Sequence, residues 1–286
     1  ACYTAKDLGR NRIHVYDHDD EDLARRSGEM QWVGRINQAL EHNLFCLHAQ
    51  VIKSLSDDDR KHYEILVRMK QDNGDLIPPG AFLPAAERYN LIDKIDQWVI
   101  ENTFDFLEAN PELLKQTDYY SINISGQSLT TPRILDYTIE RLMESGINGE
   151  NICFEITETA AITNLSMSIE FISTLKGQGC QFALDDFGSG LSSFGYLKNL
   201  PVDYLKIDGI FVKDITADPM DRAMVKSINE IGKVMGMKTI AEFVENDEII
   251  KMLREMGIDY AQGYGIGRPE PLENLAFSSN NQAVAT

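Results

Sequence analysis

The stretch NICFEITETAAITNLSMSIEFISTLKGQGCQFALDDFGSG, residues 151–190, reads as a strand, a helix and a second strand in succession. Asn151–Ile156 and Gln181–Leu184 are short apolar runs of strand character. Between them Leu165, Ile169, Ile172 and Leu175 fall on one helical face, and Gly177 and Gly179 lie where that helix should stop. Each strand carries acid at or near its end: Glu155 between Phe154 and Ile156, and the pair Asp185–Asp186 opening DDFGSG. A carboxylate within an apolar strand is costly unless it is paired or bound to a metal.

The same organisation extends in both directions. Further strand candidates are Phe45–Ile52, His62–Arg68, Tyr119–Ile124, Tyr204–Ile207, Lys238–Ala241 and Ile258–Ala261. Helical faces recur at Leu135, Ile139 and Leu142, at Met224, Ile228, Ile231 and Met235, and at Ile249, Leu253 and Met256. Thr131 before Pro132 predicts a helix start with a capping hydroxyl. Gly236 and Gly257 fall at predicted helix ends. Eight strands over about 240 residues match the size of one α/β domain, a TIM-like (β/α)8 barrel. A doubly wound sheet would call for a glycine-rich first turn, and no GxGxxG follows the first strand.

Acids recur at the strand ends. Glu64, Glu155, Asp185, Asp186, Asp208 and Glu242 sit within or just after strand segments, spaced as successive strand–helix units are. In a barrel those ends converge on the face that carries the active site. Crowded carboxylates repel, and hard divalent cations relieve the repulsion. Asn123, at the end of SIN, adds a neutral oxygen ligand. The oxygen-rich set points to Mg²⁺ or Mn²⁺, with two ions per site as a device for phosphoester hydrolysis. All five histidines precede residue 63, which argues against histidine-based zinc chemistry or a Ser-His-Asp triad in the C-terminal half. Lys206 is the lone cation of the apolar strand YLKID. It is placed to pair with Asp208 and to hold or polarise a water. Arg68, two alternation steps after Glu64, suits a phosphate oxygen. Taken singly, Glu155 also reads as a salt-bridge acid and Asp185–Asp186 as a turn before Gly188; it is their convergence that points to a site.

The chain has 286 residues, with 27 Lys and Arg against 45 Asp and Glu, a net charge of −18. That balance argues against a DNA- or RNA-polymer binder, which needs a basic face. It leaves an anionic substrate open, because bound cations invert the local sign. Four cysteines, at 2, 46, 153 and 180, form no CxxC pair, so neither a zinc knuckle nor a disulfide framework is expected. The expectation is a cytoplasmic domain without direct membrane contact, compatible with a longer, membrane-attached parent. ACYTAKDLGRNRIHVYD, residues 1–17, reads as the closing helix and strand of a preceding unit. Residues 18–30 are charged and linker-like, the barrel is expected over 31–275, and 276–286 form a tail.

In order and spacing the motifs resemble the EAL family of cyclic di-GMP phosphodiesterases. The name motif stands as Glu64-Ile65-Leu66-Val67-Arg68, with Ile where Ala is usual. NIS follows at 123–125, FEITET at 154–159, DDFGSG at 185–190, SSFGYLKNLPVDYLKIDGIFV at 192–212, AEFVEN at 241–246 and QGYGIGRPEP at 262–271. The first 17 residues resemble the end of a GGDEF domain, which implies a GGDEF–EAL tandem with sensory domains upstream. The resemblance implies hydrolysis of cyclic di-GMP to linear pGpG, with a catalytically quiet cyclic di-GMP receptor as the alternative. It assigns Glu64, Asn123, Glu155, Asp185, Asp186 and Glu242 to two Mg²⁺ or Mn²⁺ ions, Asp185 bridging. Lys206, Glu242, Glu64 and Asp185 become the catalytic set, with Lys206 positioning the hydrolytic water. Gln50, Leu66, Arg68, Asp208, Glu245, Gln262 and Pro269 match substrate-contacting or rim positions. Glu158 matches the glutamate bracing the loop that begins at Asp186. A homodimer through the barrel is also implied.

Overall fold

A computed structural model describes residues 21–56, 61–71, 73–189 and 195–276. The segment read as a GGDEF remnant, 1–17, and the tail from 277 onward lie outside the described residues. The described residues fall into two compact units, one from 21–45 together with 68–92, the other from 46–67 together with 93–276.

In the smaller unit, helix α1 (Glu21–Glu41) starts inside the stretch read as a linker. Its Ile36 and Ala39 are fully buried, as is Phe82, whose ring lies 5.6 Å from that of Phe45. Lys70 N donates to Leu44 O, and Met69 faces Ile77 of the short strand β3 (Leu76–Ile77). Helix α2 (Leu83–Arg88) contributes buried Ala85 and Ala86.

The barrel belongs to the larger unit except for Phe45 and residues 68–70. Its strands are β1 (Phe45–Ser54), β2 (Lys61–Lys70), β4 (Thr117–Asn123), β5 (Ile152–Thr157), β6 (Gln181–Phe187), β7 (Tyr204–Ile207), β8 (Lys238–Ala241) and β9 (Tyr260–Gln262). The hydrogen-bonded order β1-β9-β8-β7-β6-β5-β4-β2 closes through β1–β2, so all eight strands foreseen from the sequence are present. Strands β2 to β9 of the ring run parallel, whereas β1 is antiparallel to β9. This departs from eight uniform βα units. A parallel return needs a crossover of about a dozen residues, and only residues 55–60 join β1 to β2. A two-residue strand β10 (Glu270–Pro271) adds to the far side of β1.

Helices α3 (Ile92–Ala109), α4 (Pro111–Gln116), α5 (Pro132–Ser145), α6 (Glu158–Thr163), α7 (Leu165–Lys176), α8 (Gly209–Val212), α9 (Pro219–Val234) and α10 (Asp247–Met256) connect the strands. Their apolar stripes are buried, as at Phe171, Ile172 and Leu175 of α7. Caps begin several of them, with Asn246 accepting from Ile249 N at 3.0 Å and Asp218 from Met220 N at 2.7 Å. Thr131 occupies the cap position of α5, but its hydroxyl donates to Gln127 O at 2.9 Å instead of capping.

Inside the barrel, Ile52, Tyr119, Cys153, Ala183, Tyr204, Ile240 and Tyr260 form one buried cluster. The His62 ring packs on Tyr119 at 4.0 Å and Tyr260 at 4.5 Å. On β2, β5, β6, β7 and β9, the residue two positions further along the strand is polar: Glu64, Glu155, Asp185, Lys206 and Gln262. With a side-chain period of two, an aromatic and aliphatic floor therefore forces the next inward layer to be the charged one.

Asp96 on α3 steadies the end of β4. Its carboxylate is buried and accepts from Ser125 N at 2.9 Å, and burial, partly offset by bonds from Ser125 and Ser128, raises its pKa to about 6. A folded-state pKa above the ordinary carboxylate value means that this group's stabilisation is complete below about pH 4 and is lost as pH rises through about 6. Between pH 4 and 7, Asp96→Asn is therefore expected to gain up to about 3 kcal/mol relative to wild type, measured by denaturant unfolding at each pH.

Candidate active site

The strand ends converge on one ammonium group. Lys206 Nζ, on β7, lies 2.6 Å from Glu155 Oε2, 3.0 Å from Asp185 Oδ1, 3.0 Å from Glu242 Oε1 and 3.7 Å from Glu64 Oε2. These acids come from β5, β6, the residue after β8, and β2. Lys206 and Glu155 are each 1 % exposed, which places the ion cluster inside the barrel wall. The pairing of Lys206 with Asp208 suggested by their spacing does not form. Asp208 instead caps α8, accepting from Ile210 N at 2.9 Å, because the strand ends at Ile207 and alternation no longer applies.

A second layer of bonds fixes Glu64. Asn123 Nδ2 donates to its Oε1 at 2.8 Å and Gln262 Nε2 to its Oε2 at 2.5 Å. Gln262 also reaches Gln50 Oε1 at 3.3 Å, and Gln50 Nε2 donates to Gly267 O at 2.9 Å. Gln262, read as a rim residue, is buried, while Asn123 and Glu245 are exposed. Leu66, Asp208 and Pro269 are half-buried. Arg68, also half-buried, stands four residues beyond Glu64 on β2 and belongs to the smaller unit.

Backbone irregularity decides where the paired aspartates point. Register between β6 and β7 slips between Leu184 and Phe187, so an extra residue is accommodated there. Asp186 adopts φ 54°, the left-handed region. Strict alternation would send adjacent side chains to opposite faces; a bulge re-aims one of them. Ligand oxygens of Asp185, Asp186 and Glu242 consequently lie within 4.8 Å of one another. Glu155 Oε1 is buried without a hydrogen-bond partner, which leaves an acceptor for a cation. This all-oxygen donor set fits a hard divalent cation.

One ammonium cannot neutralise so many carboxylates. Burial pushes Glu155 up to about 8 against the pull of Lys206, and pushes Glu242 upward as well. Asp186 rises to about 6 through partial burial and the nearby Asp185 and Asp208. Burial alone would lower Lys206, but Asp185, Glu155, Glu242 and Glu64 outweigh it and hold the lysine firmly protonated.

Glu158, the first residue of α6, is buried. Its carboxylate accepts from Gly188 N at 3.0 Å and from the Tyr196 hydroxyl. Tyr196, inside the motif SSFGYLKNLP, carries no sequence signal of this bond; only its partner's position identifies it. Phe243, next to Glu242, is a second unforeseen feature, with φ 52° and its ring half-exposed.

Residues 33–269 match the family model described as the EAL domain. The chain belongs to the EAL-domain family. It is 45% identical over 273 residues to cyclic di-GMP phosphodiesterase PdeB of Shewanella oneidensis, covering 95% of this chain and 32% of that protein. Against cyclic di-GMP phosphodiesterase PdeF of Escherichia coli it is 40% identical over 240 residues, 84% of this chain and 32% of the relative. This EAL domain thus spans about a third of the curated relatives it matches. Among solved structures, the MucR phosphodiesterase in complex with c-di-GMP aligns with TM-score 0.79 and 30% identity, over 86% of this chain and 99% of that one. The FimX EAL domain from Pseudomonas aeruginosa bound to c-di-GMP aligns with TM-score 0.77 and 31% identity, over 84% and 96%.

Replacing Lys206 by Met keeps the length and removes the charge, leaving four acids crowded in the barrel. With chelator present at pH 7, K206M is expected to lose about 3–5 kcal/mol of stability in denaturant unfolding, with a smaller loss at pH 5, where protonation relieves the acids.

Proposed function

We propose that this EAL domain hydrolyses one phosphodiester of cyclic di-GMP to give linear pGpG. The observation that carries the reading is the meeting of Glu64, Glu155, Asp185 and Glu242, from four separate strands, around Lys206. Kinship with phosphodiesterases named for that substrate supplies its identity.

Glu64, Asn123, Glu155, Asp185, Asp186 and Glu242 would hold two Mg²⁺ or Mn²⁺ ions. When bound there, such cations lower the pKa of a water and neutralise charge building on the phosphoryl oxygens. Lys206 stays protonated and orients the attacking water through an Nζ hydrogen bond, while its carboxylate partners keep the ammonium from swinging away. Glu242, 3.0 Å from Lys206 Nζ, adds its carboxylate to the cation-holding set. Gln50 and Gln262 order the wall beside Glu64 and line the substrate path. Leu66, Asp208, Glu245 and Pro269 contact the nucleotide. Glu158 ties Gly188 and Tyr196 together through its carboxylate. Without cations the acidic cup would repel a dianionic substrate, so metal and substrate binding should be coupled. A homodimer through the barrel, a GGDEF neighbour and a cytoplasmic setting complete the proposal. No helix among the described residues is long and apolar enough to cross a membrane.

Incubation of the protein with cyclic di-GMP and Mn²⁺ or Mg²⁺, with chromatographic separation of products, is expected to give a pGpG peak that grows with time and vanishes with chelator. Asp185→Asn should lower turnover by about a thousandfold or more at saturating Mn²⁺. Tight binding with no product would support the receptor role instead, and near-normal turnover by D185N would break the metal assignment.

A further inference from the structure

The segment that follows β8, residues 242–246, is held in an unusual way. Phe243 has φ 52°, a region that bulky side chains avoid, yet its ring is half-exposed, so burial of the ring does not account for the conformation. The contact that does account for it lies on Gly209, at the start of α8. A Cβ built on Gly209 would stand 2.0 Å from Phe243 Cδ2, 2.5 Å from Cγ and 2.7 Å from Cβ, so the ring rests directly on the glycine backbone. Only glycine leaves that space. Lys213 Nζ, 4.5 Å from the ring centroid, adds a cation over the same ring.

The opposite side of the segment is equally close-fitting. A Cβ on Gly263 would meet Val244 N at 2.2 Å, and one on Gly265 would meet the Glu245 carbonyl carbon at 2.6 Å. Val244 N donates to Gln262 O at 2.9 Å, and Gly265 N to Val244 O at 2.8 Å. Residues 243–245 are thus gripped between a glycine that follows β7 and two that follow β9. The residue entering this grip is Glu242, whose Oε1 lies 3.0 Å from Lys206 Nζ.

We propose that Phe243 is a positioning residue: its ring, seated on Gly209, holds the backbone in the one conformation that delivers the Glu242 carboxylate into the acidic cup. The inference rests on the reading of Glu242 as a cation-site acid. It adds a residue that touches neither Lys206 nor the carboxylates and acts through its neighbour in the chain.

Three variants test it, G209A, F243G and G209A/F243G, each read by crystal structure and by Mn²⁺ titration calorimetry. In G209A the added methyl displaces the ring. Glu242 Oε1 is expected to move beyond ion-pair distance of Lys206, and Mn²⁺ affinity to fall by about tenfold or more. F243G, in which glycine is at ease at this φ, should also weaken Mn²⁺ binding, with its Tm unchanged or raised. In the double variant the methyl no longer meets a ring, so its affinity should equal that of F243G. Such non-additivity identifies the ring as the link. An unmoved Glu242 with Mn²⁺ affinity within about twofold of wild type in F243G would overturn the proposal, and so would an equal loss from G209A with and without the ring. Should G209A fail to fold, F243G and the double variant decide alone. If wild type binds no Mn²⁺, the divalent-cation reading fails, while the Glu242–Lys206 distance in the crystals still decides the positioning role.

Discussion

A single buried ammonium sets the terms for the rest of the molecule. Lys206 faces four carboxylates within 3.7 Å, and among the described residues those four acids have no other Lys or Arg ion-pair partner. Transferring such charges from water is costly, so the cluster depends on strands that hold the acids in place around the ammonium and, at Glu64, on additional bonds. Glu64 illustrates this, with amide donors from Asn123 and Gln262 on its two oxygens. The charge surplus that remains is the physical reason the cup suits divalent cations.

The barrel supplies the geometry and its irregularities supply the chemistry. Regular strands place Glu64, Glu155 and Lys206 on the inner wall above a floor of Tyr119, Tyr204, Tyr260 and His62. The remaining acids depend on broken regularity. Asp186 joins Asp185 and Glu242 through a slip in register and a left-handed backbone, and Glu242 stands next to the strained Phe243. Strain of this kind costs about 1–3 kcal/mol per residue and survives where surrounding contacts over-determine it. The glycines around residues 243–245 provide such contacts. Within this EAL domain the least regular backbone therefore adjoins the most highly charged side chains.

Much of this was legible in the residue pattern, because two periodicities carry it. Alternation within short apolar runs located all eight barrel strands, and spacing of three and four located the helical faces between them. Charge inside apolar strands is rare enough that Glu155 and Lys206 identified themselves. Other readings were incomplete for definite reasons. The antiparallel direction of β1 follows from a connection too short for a crossover. The capping role of Asp208 follows from a strand that stops one residue earlier. The hydroxyl of Thr131 found a carbonyl closer than the helix it precedes. Tyr196 and Phe243 gave no periodic signal, since their roles lie in contacts with Glu158 and Gly209, 38 and 34 residues away in the chain.

By itself the amino-acid order determined the number of barrel strands, the identity of the acidic positions and the family to which their spacing belongs. Those properties reside in local periodicity and in motifs, which need no partner to be read. Which carboxylates meet the lysine, which aspartate of the pair turns inward, and what holds Glu242 in place were decided only by the closed barrel. Each depends on register between strands and on how near one backbone can come to another, distances that exist only once remote segments are packed together.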